Sequence, residues 1–88
     1  MMGRPSLTIE EAMTRQYRVS TKGQLSLPLI FLGMRIRAFG KMFLVKSSGE
    51  NSCYVYLSKE YAEKHLMIYS EDDTLKMDLA YKVKKRAK

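Results

Sequence analysis

The stretch of sequence that decides the fold reads Val19-Ser-Thr-Lys-Gly-Gln-Leu-Ser-Leu-Pro28. Strand-forming residues lie on both sides of the Lys22-Gly23 pair, and glycine readily adopts the backbone angles that a tight turn requires. Beyond the turn, apolar and polar residues alternate up to Pro28, which is typical of a strand with one buried face. The stretch therefore predicts a β-hairpin with Gln24 and the hydroxyl side chains turned toward solvent. The side chains expected to face the core are Val19, Leu25 and Leu27.

The charges are distributed unevenly along the chain. The 88 residues include 16 Lys and Arg but only nine Asp and Glu, for a net charge of +7. No acidic residue occurs between Ala12 and Gly49, whereas seven cations do. A cluster of cations without interleaved acids is typical of a surface that binds phosphate, because a merely solvated face usually carries both signs. The seven cations are Arg15, Arg18, Lys22, Arg35, Arg37, Lys41 and Lys46.

Composition and periodicity predict the remaining elements. The run from Leu29 to Met34 is apolar on every side and is expected to be buried. Ser58 can cap a helix that continues to Leu66, with His65 as a half-buried packing residue on its face. Apolar alternation over 75–83 predicts a final strand, although acidic residues before it and basic residues after it also suit a helix. The other predicted elements are a short helix capped near Ser6 or Thr8, strands over 41–46 and 53–57, and a turn over 47–51.

Two stretches of the sequence resemble the AbrB/MazE/SpoVT-type swapped-hairpin DNA-binding family. Residues 19–28 are similar to the AbrB-type signature in their Lys-Gly-Gln turn and in the alternating run that ends on an aliphatic-Pro pair. Residues 45–57 resemble the opening hairpin of MazE-like proteins, although Glu50 is inserted into its turn and Ser58 stands where that family has Pro. Residues 59–66 are similar to the helix of that family, and residues 71–77 resemble its acidic turn into the third strand, with Asp72 in place of the usual Gly. The resemblance implies a mainly β, α+β protein with one short helix, built as a swapped-hairpin β-barrel from an intertwined homodimer.

The two matches place the domain in different parts of the chain. We favour a basic N-terminal arm over 1–39, containing the AbrB-like hairpin motif at 17–28, followed by a swapped-hairpin domain over 40–88. In the alternative, the domain covers 16–58 and residues 59–88 form a C-terminal tail. A third arrangement is a degenerate tandem in which one chain imitates the dimer. A chain this short buries only about 60% of its unfolded surface, so a partner subunit is expected to add stability.

The resemblance implies a DNA-binding transcriptional regulator that binds double-stranded DNA as a homodimer. Arginine can hold phosphate or guanine with two hydrogen bonds, and asparagine can read adenine. One placement of the domain turns Arg15, Arg18 and Lys22 toward DNA, and the other turns Lys46, Asn51 and Ser52 toward it. In either placement, the residues expected close to the DNA-facing side chains include Arg35, Arg37 and Lys41. The alternative function is that of the antitoxin in a toxin–antitoxin pair, whose tail would bind a ribonuclease toxin. A third hypothesis, which the acid-free stretch disfavours, is a basic protein-interaction adaptor without a DNA role.

The sequence contains no recognisable catalytic, cofactor or metal motif. One His and one Cys cannot form a zinc site, and a lone Cys53 cannot form an internal disulfide. Phosphate-cradling glycine loops, nucleophile elbows and paired catalytic carboxylates are absent, so no enzyme is predicted. The longest apolar stretch falls far short of the about 20 residues that span a membrane. These patterns predict a soluble, cytoplasmic protein.

Overall fold

Short strands dominate the structure, a computed structural model that describes residues 7–86. The prediction of a mainly β protein with a short helix is confirmed, and the described residues form two short α-helices. The helices are α1 (Ile9–Ala12) and α2 (Ala80–Arg86), and two 3₁₀ helices cover Leu29–Phe31 and Lys59–Tyr61. The strands are β1 (Tyr17–Arg18), β2 (Gln24–Leu27), β3 (Arg35–Ala38), β4 (Lys41–Leu44), β5 (Lys46–Ser47), β6 (Cys53–Tyr56), β7 (His65–Glu71) and β8 (Thr74–Leu79). Within residues 7–86, neither α-helix is long and apolar enough to cross a membrane.

The strands form two sheets around one main core. The five-stranded sheet has the order β1-β7-β8-β3-β4, and the three-stranded sheet has the order β2-β6-β5. β2 pairs with β6 and β3 pairs with β8, so strands from both sides of residue 39 occur in both sheets. Residues 59–79 of the alternative tail form the second 3₁₀ helix, β7 and β8. The main core likewise combines side chains from Ala12 to Met77.

The turn and the alternation predicted for residues 19–28 are present, but β1 and β2 belong to different sheets and pair with β7 and β6 rather than with each other. Val19 and Leu25 are completely buried and Leu27 is 5% exposed, whereas Gln24 lies on the solvent side. A helix cap predicted near Ser6 or Thr8 is also confirmed, at the second of these positions. The Thr8 hydroxyl accepts a hydrogen bond from the Glu11 N–H, and the Glu11 carboxylate accepts one from the Thr8 N–H. Local turn and cap chemistry was therefore readable from the sequence.

The helix predicted over 58–66 is wrong, since it is replaced by a single 3₁₀ turn and a strand. Glu63 adopts a left-handed backbone with φ of 67°, which ends any helical path before β7 begins at His65. Leu66 then lies opposite Tyr17 of β1. Pairing with a distant strand therefore outweighs the local helix pattern, because most helical stability in proteins comes from packing rather than propensity. His65 is exposed rather than half-buried on a helix face.

Two further expectations are corrected at the 3₁₀ helix after β2 and at the C-terminal end. Phe31 is fully buried, but Leu29 and Leu32 are 43% and 46% exposed, so the apolar run is not buried throughout. A 3₁₀ helix has three residues per turn and points successive side chains in three directions. The alternation over 75–83 gives a strand only to Leu79, after which α2 begins.

The same order of elements occurs twice along the chain. Strand, strand, 3₁₀ helix, strand and strand follow one another over residues 17–44, the first repeat, and again over residues 45–79, the second repeat. The two 3₁₀ helices begin at residues 29 and 59. Each is followed by a residue with positive φ, Gly33 at 82° and Glu63 at 67°. The third arrangement considered from the sequence, a degenerate tandem, has this order of elements.

Backbone hydrogen bonds tie each repeat to the other in the same way. Val45 of the second repeat exchanges two hydrogen bonds with residues 33–34 of the first, at 3.0 and 2.9 Å. Val19 of the first repeat exchanges two corresponding backbone hydrogen bonds with residues 63–64 of the second repeat, at 2.8 and 2.9 Å. The hairpin strands are thus exchanged between the repeats within one chain.

The pairing of β2 with β6 is symmetric about its centre. Leu25 lies opposite Val55, which occupies the matching position 30 residues later in the second repeat. The pairs on either side, Gln24 with Tyr56 and Ser26 with Tyr54, convert into each other when the repeats are interchanged. This pairing therefore has a local two-fold axis through the Leu25–Val55 pair, whereas the parallel pairing of β3 with β8 has no counterpart between β7 and β4.

Candidate nucleic-acid interface

All nine residues that the sequence predicted to face DNA have exposed side chains. They do not form one patch. Arg18, Arg35 and Arg37 lie on strands of the five-stranded sheet, and Lys41 and Lys46 begin β4 and β5. Lys22, Asn51 and Ser52 lie on hairpin turns, and Arg15 lies between α1 and β1. The fold therefore brings some of them together and separates others.

Arg35 and Arg37 form the centre of the basic surface on the five-stranded sheet. Along β3 the side chains alternate, so that Ile36 and Ala38 are buried while both arginines point outward. Arg37 lies opposite Lys76 of the parallel neighbour β8, but Lys76 forms a 3.0 Å ion pair with Glu71, so the two arginines are the unpaired cations at this position. Residues two apart on a strand are separated by about 6.8 Å, so the two guanidinium groups can engage separate phosphates.

β4 places exposed apolar side chains beside these arginines. Leu44 lies opposite Arg35 and Met42 lies opposite Arg37, and the two apolar residues are 46% and 45% exposed. β4 is the edge strand of the five-stranded sheet and pairs only with β3 among the described strands. The arginine stems thus rest beside an apolar strip that leaves their charged ends in solvent.

The two hairpin turns lie at opposite ends of the three-stranded sheet, because β2 and β6 run antiparallel. In the first turn, the Ser20 hydroxyl accepts hydrogen bonds from the backbone N–H groups of Lys22 and Gln24, at 3.2 and 3.1 Å. In the second turn, the Ser48 N–H donates to the Ser52 carbonyl at 2.8 Å. Lys22 and the Asn51–Ser52 pair therefore cannot belong to one compact cluster.

The outer face of the three-stranded sheet is polar and aromatic. Gln24 lies opposite Tyr56, while Tyr54 lies between Ser26 and Lys46 on neighbouring strands. A groove of about 260 Å³ runs between this face and β4. Gln24 and Ser26 were not among the predicted DNA contacts, although their place in the alternating run marked them as outward-facing.

Most cations of the acid-free window have no acidic partner. In residues 7–86, Arg18 approaches Glu63 at 3.8 Å, and both side chains are more than half exposed. The other six cations of the window form no ion pair with any acid in that range. Exposed ion pairs contribute little free energy, so even Arg18 can exchange its partner for a phosphate.

The two repeats carry opposite charge. The first repeat holds five cations, namely Arg18, Lys22, Arg35, Arg37 and Lys41, and no acid. The second repeat holds four cations and seven acids. Its cations are Lys46, Lys59, Lys64 and Lys76, and its acids are Glu50, Glu60, Glu63, Glu71, Asp72, Asp73 and Asp78. Positive charge is therefore concentrated in the first repeat and in residues 80–88, which hold five further cations and no acid.

Cys53 is completely buried in β6. Burial raises the pKa of its thiol, which keeps the sulfur protonated. The Sγ–H group lies 3.3 Å from the Leu27 carbonyl and 3.2 Å from the Pro28 carbonyl, to which it can donate. The described part of the chain also holds no group of three or more His, Cys, Asp and Glu side chains placed to bind a metal ion.

Comparison with known proteins identifies no relative of this chain. No protein-family model matches it, and neither a curated protein nor a solved structure does so. The resemblance to the AbrB/MazE/SpoVT family therefore rests on the sequence motifs alone and stays a prediction.

Proposed function

We propose that this protein binds duplex DNA through the basic surface of its first repeat and acts as a transcriptional regulator. The observation that carries the proposal is a set of exposed cations in the acid-free stretch that form no ion pair in the described chain. Four of these six cations lie in the first repeat, namely Lys22, Arg35, Arg37 and Lys41. A cation already held by a carboxylate must break that pair before it binds a phosphate, whereas these cations need not. Their side chains are free to bind phosphates directly.

Arg35 and Arg37 are the proposed centre of the phosphate contacts. Both project from a strand whose opposite side is anchored in the core, so the backbone that carries them is held in place. Arginine binds phosphate through two parallel hydrogen bonds, which adds geometric specificity to charge attraction. Lys41 is a further exposed cation at the start of the neighbouring strand, where it lies opposite Ala38.

The turns and the outer face of the three-stranded sheet supply groups that can read bases. The major groove of DNA admits a two-stranded β-ribbon, and glutamine or asparagine pairs with adenine there. Gln24 and Ser26 on β2, with Lys22 on the turn that precedes this strand, are exposed donors and acceptors of this kind. The role in transcription is proposed from the resemblance to swapped-hairpin regulators, in which two chains supply the two hairpins.

The antitoxin alternative has no observation in its favour. It was based on a tail at 59–88, of which residues 59–79 are strands and a 3₁₀ helix of this fold. DNA binding is therefore proposed without a toxin partner.

Fluorescence anisotropy with a labelled random duplex tests the proposal. Because phosphate neutralisation releases counterions, we expect the affinity to fall at least tenfold between about 50 and 200 mM salt. The double variant Arg35→Gln/Arg37→Gln removes two phosphate contacts, so its logarithmic salt slope is expected to be smaller by about 2. Absent or salt-independent binding by the native chain would refute DNA binding, and an unchanged slope in the variant would refute this placement of the contacts.

A further inference from the structure

We propose that a single chain is the complete DNA-binding unit, in which two repeats fold around an internal two-fold axis and only the first faces DNA. Its target would then be a DNA segment without two-fold symmetry, occupied by one chain. The DNA part of this inference rests on the proposed function, whereas the single-chain part rests on the fold alone. The two parts together specify that one chain binds each DNA site and that the site lacks two-fold symmetry.

The exchange of strands between repeats is already complete inside one chain. Val19 and Val45 make the same two backbone hydrogen bonds to the opposite repeat, and β2 pairs with β6 across the axis. Unpaired buried backbone groups are costly, so an exchanged hairpin needs a partner that satisfies them. Here the second repeat provides that partner, and no second copy is required for it.

The core is also completed within one chain. Leu25 and Val55 pack at its centre with exposures of 0% and 2%, one from each repeat. The Cα radius of gyration is 12.9 Å, close to the value of about 12 Å expected for a compact domain of this length. A single chain therefore has the dimensions of a finished domain rather than of half of one.

The matching turns of the two repeats have opposite charge. In the first repeat, the turn between β1 and β2 carries Lys22, whereas the corresponding turn of the second repeat carries Glu50. The β3–β4 turn is followed by Lys41, whereas the corresponding β7–β8 turn is formed by Asp72 and Asp73. A symmetric DNA site would bring these acids toward phosphates, which repel them. Only the first repeat is suited to the duplex.

The outer faces of the two β-hairpins that follow the 3₁₀ helices also differ. α2 covers the β7–β8 hairpin of the second repeat, where Ala80 and Val83 pack against Met67. The residue of the first repeat that matches Met67 is Arg37, which is exposed. One repeat therefore buries this face under its own helix, while the other presents it to an anionic partner.

The mass of the free chain tests the single-chain part without reference to DNA. Light scattering after size exclusion, at several protein concentrations, is expected to give the 10.2 kDa of one chain. A duplex titrated under stoichiometric conditions is expected to bind one chain per site. A free chain of twice that mass at all concentrations, or two chains per minimal duplex, would overturn this part.

Two charge-matched double variants test the one-sided contact. Arg35→Gln/Arg37→Gln and Lys59→Gln/Lys64→Gln each remove two exposed positive charges, the first pair from the first repeat and the second pair from the second. We expect the first variant to weaken DNA binding at least about tenfold and the second to change it less than about twofold. Equal losses would overturn the one-sided contact, and circular dichroism checks that both variants are folded.

The outcomes separate this inference from the proposed function. A monomer that does not bind DNA removes the proposed function and leaves the single-chain fold. A dimer that binds DNA with normal salt dependence supports the proposed function and overturns the single-chain unit.

Discussion

Gly23 lies against the peptide bond of Ser58, so close that a Cβ on Gly23 would be only 2.5 Å from the Ser58 carbonyl oxygen. The Gly23 carbonyl also accepts a hydrogen bond of 2.8 Å from the N–H of Leu57. The turn of the first hairpin is thereby joined to the end of β6 in the second repeat. Since Gly23 also has a φ of 90°, both its backbone conformation and this contact require glycine.

Replacement of Gly23 by alanine is expected to lower the free energy of unfolding by about 2–4 kcal/mol, because backbone strain and steric overlap add. Gly40→Ala is the matched control, since Gly40 has a φ of 80° and open space around its missing Cβ. This control variant is expected to lower the free energy of unfolding by about 1–2 kcal/mol, from backbone strain alone. Urea unfolding of both variants measures the difference, and equal losses would mean that the Ser58 contact contributes nothing.

Leu25 and Val55 meet on the internal two-fold axis, so a cavity there affects both repeats. Leu25→Ala is expected to lower the free energy of unfolding by about 3 kcal/mol, as it does for other fully buried leucines. Leu32→Ala serves as the control, because Leu32 is 46% exposed and its truncation is expected to cost less than about 1 kcal/mol. Thermal unfolding distinguishes the two, and a small effect at Leu25 would place the centre of the core elsewhere.

Tyr17 connects the N-terminal helix to the first strand. Its hydroxyl donates a 2.6 Å hydrogen bond to the carbonyl of Ala12, the last residue of α1. Tyr17→Phe is expected to lower the free energy of unfolding by about 1 kcal/mol, whereas Tyr56→Phe, which alters an exposed ring, is expected to have almost no effect. Chemical unfolding of both variants is the measurement, and similar losses would argue against a role for the hydrogen bond.

Tyr17 also predicts a dependence of stability on alkaline pH. Burial raises the pKa of its phenol, with a smaller opposing effect from the nearby Arg15 charge. Because the folded pKa lies above the unfolded one, the stabilisation is complete below the ordinary tyrosine pKa and is lost as the pH rises through the raised value. Tyr17→Phe, which cannot ionise, is expected to show a smaller alkaline loss than the native chain, and an identical loss would contradict this assignment.

The Cys53 thiol is expected to react slowly with iodoacetamide in the folded protein. Its side chain is completely buried and its pKa is raised by that burial, and only the thiolate reacts readily. The rate is expected to rise at least about tenfold in urea, because opening of the fold must precede reaction. Mass spectrometry of the alkylated chain follows both rates, and rapid modification of the folded protein would show that β6 is accessible.

The local features of the chain were largely predictable from neighbouring residues. The Lys22-Gly23 turn, the inward Leu25 and the Thr8 cap depend on interactions within about five positions, and each is present as expected. The exposed positions of the cations could also be anticipated, because charged side chains are almost never buried without a partner. The candidate site was therefore visible residue by residue before its arrangement was known.

The arrangement itself was not predictable from those local patterns. Residues 58–66 carry good helix signals, yet His65 and Leu66 become a strand because β1, nearly 50 residues earlier in the chain, pairs with them. β3 was missed since its four residues follow a run that looked uniformly apolar. Strand pairing depends on distant partners, and a short sequence window contains no information about them.

By itself the sequence determined where the turns near Gly23 and Gly49 lie, which residues around the first turn face inward, and that positive charge is concentrated in an acid-free stretch. Only the tertiary structure decided that the hairpins at 17–27 and 46–56 pair around one internal axis, and that Arg35 and Arg37 share an open face. The reason is physical: turns and alternation are set by neighbouring residues, whereas pairing is set by burial of the Leu25–Val55 centre. That burial exists only when both repeats are folded together.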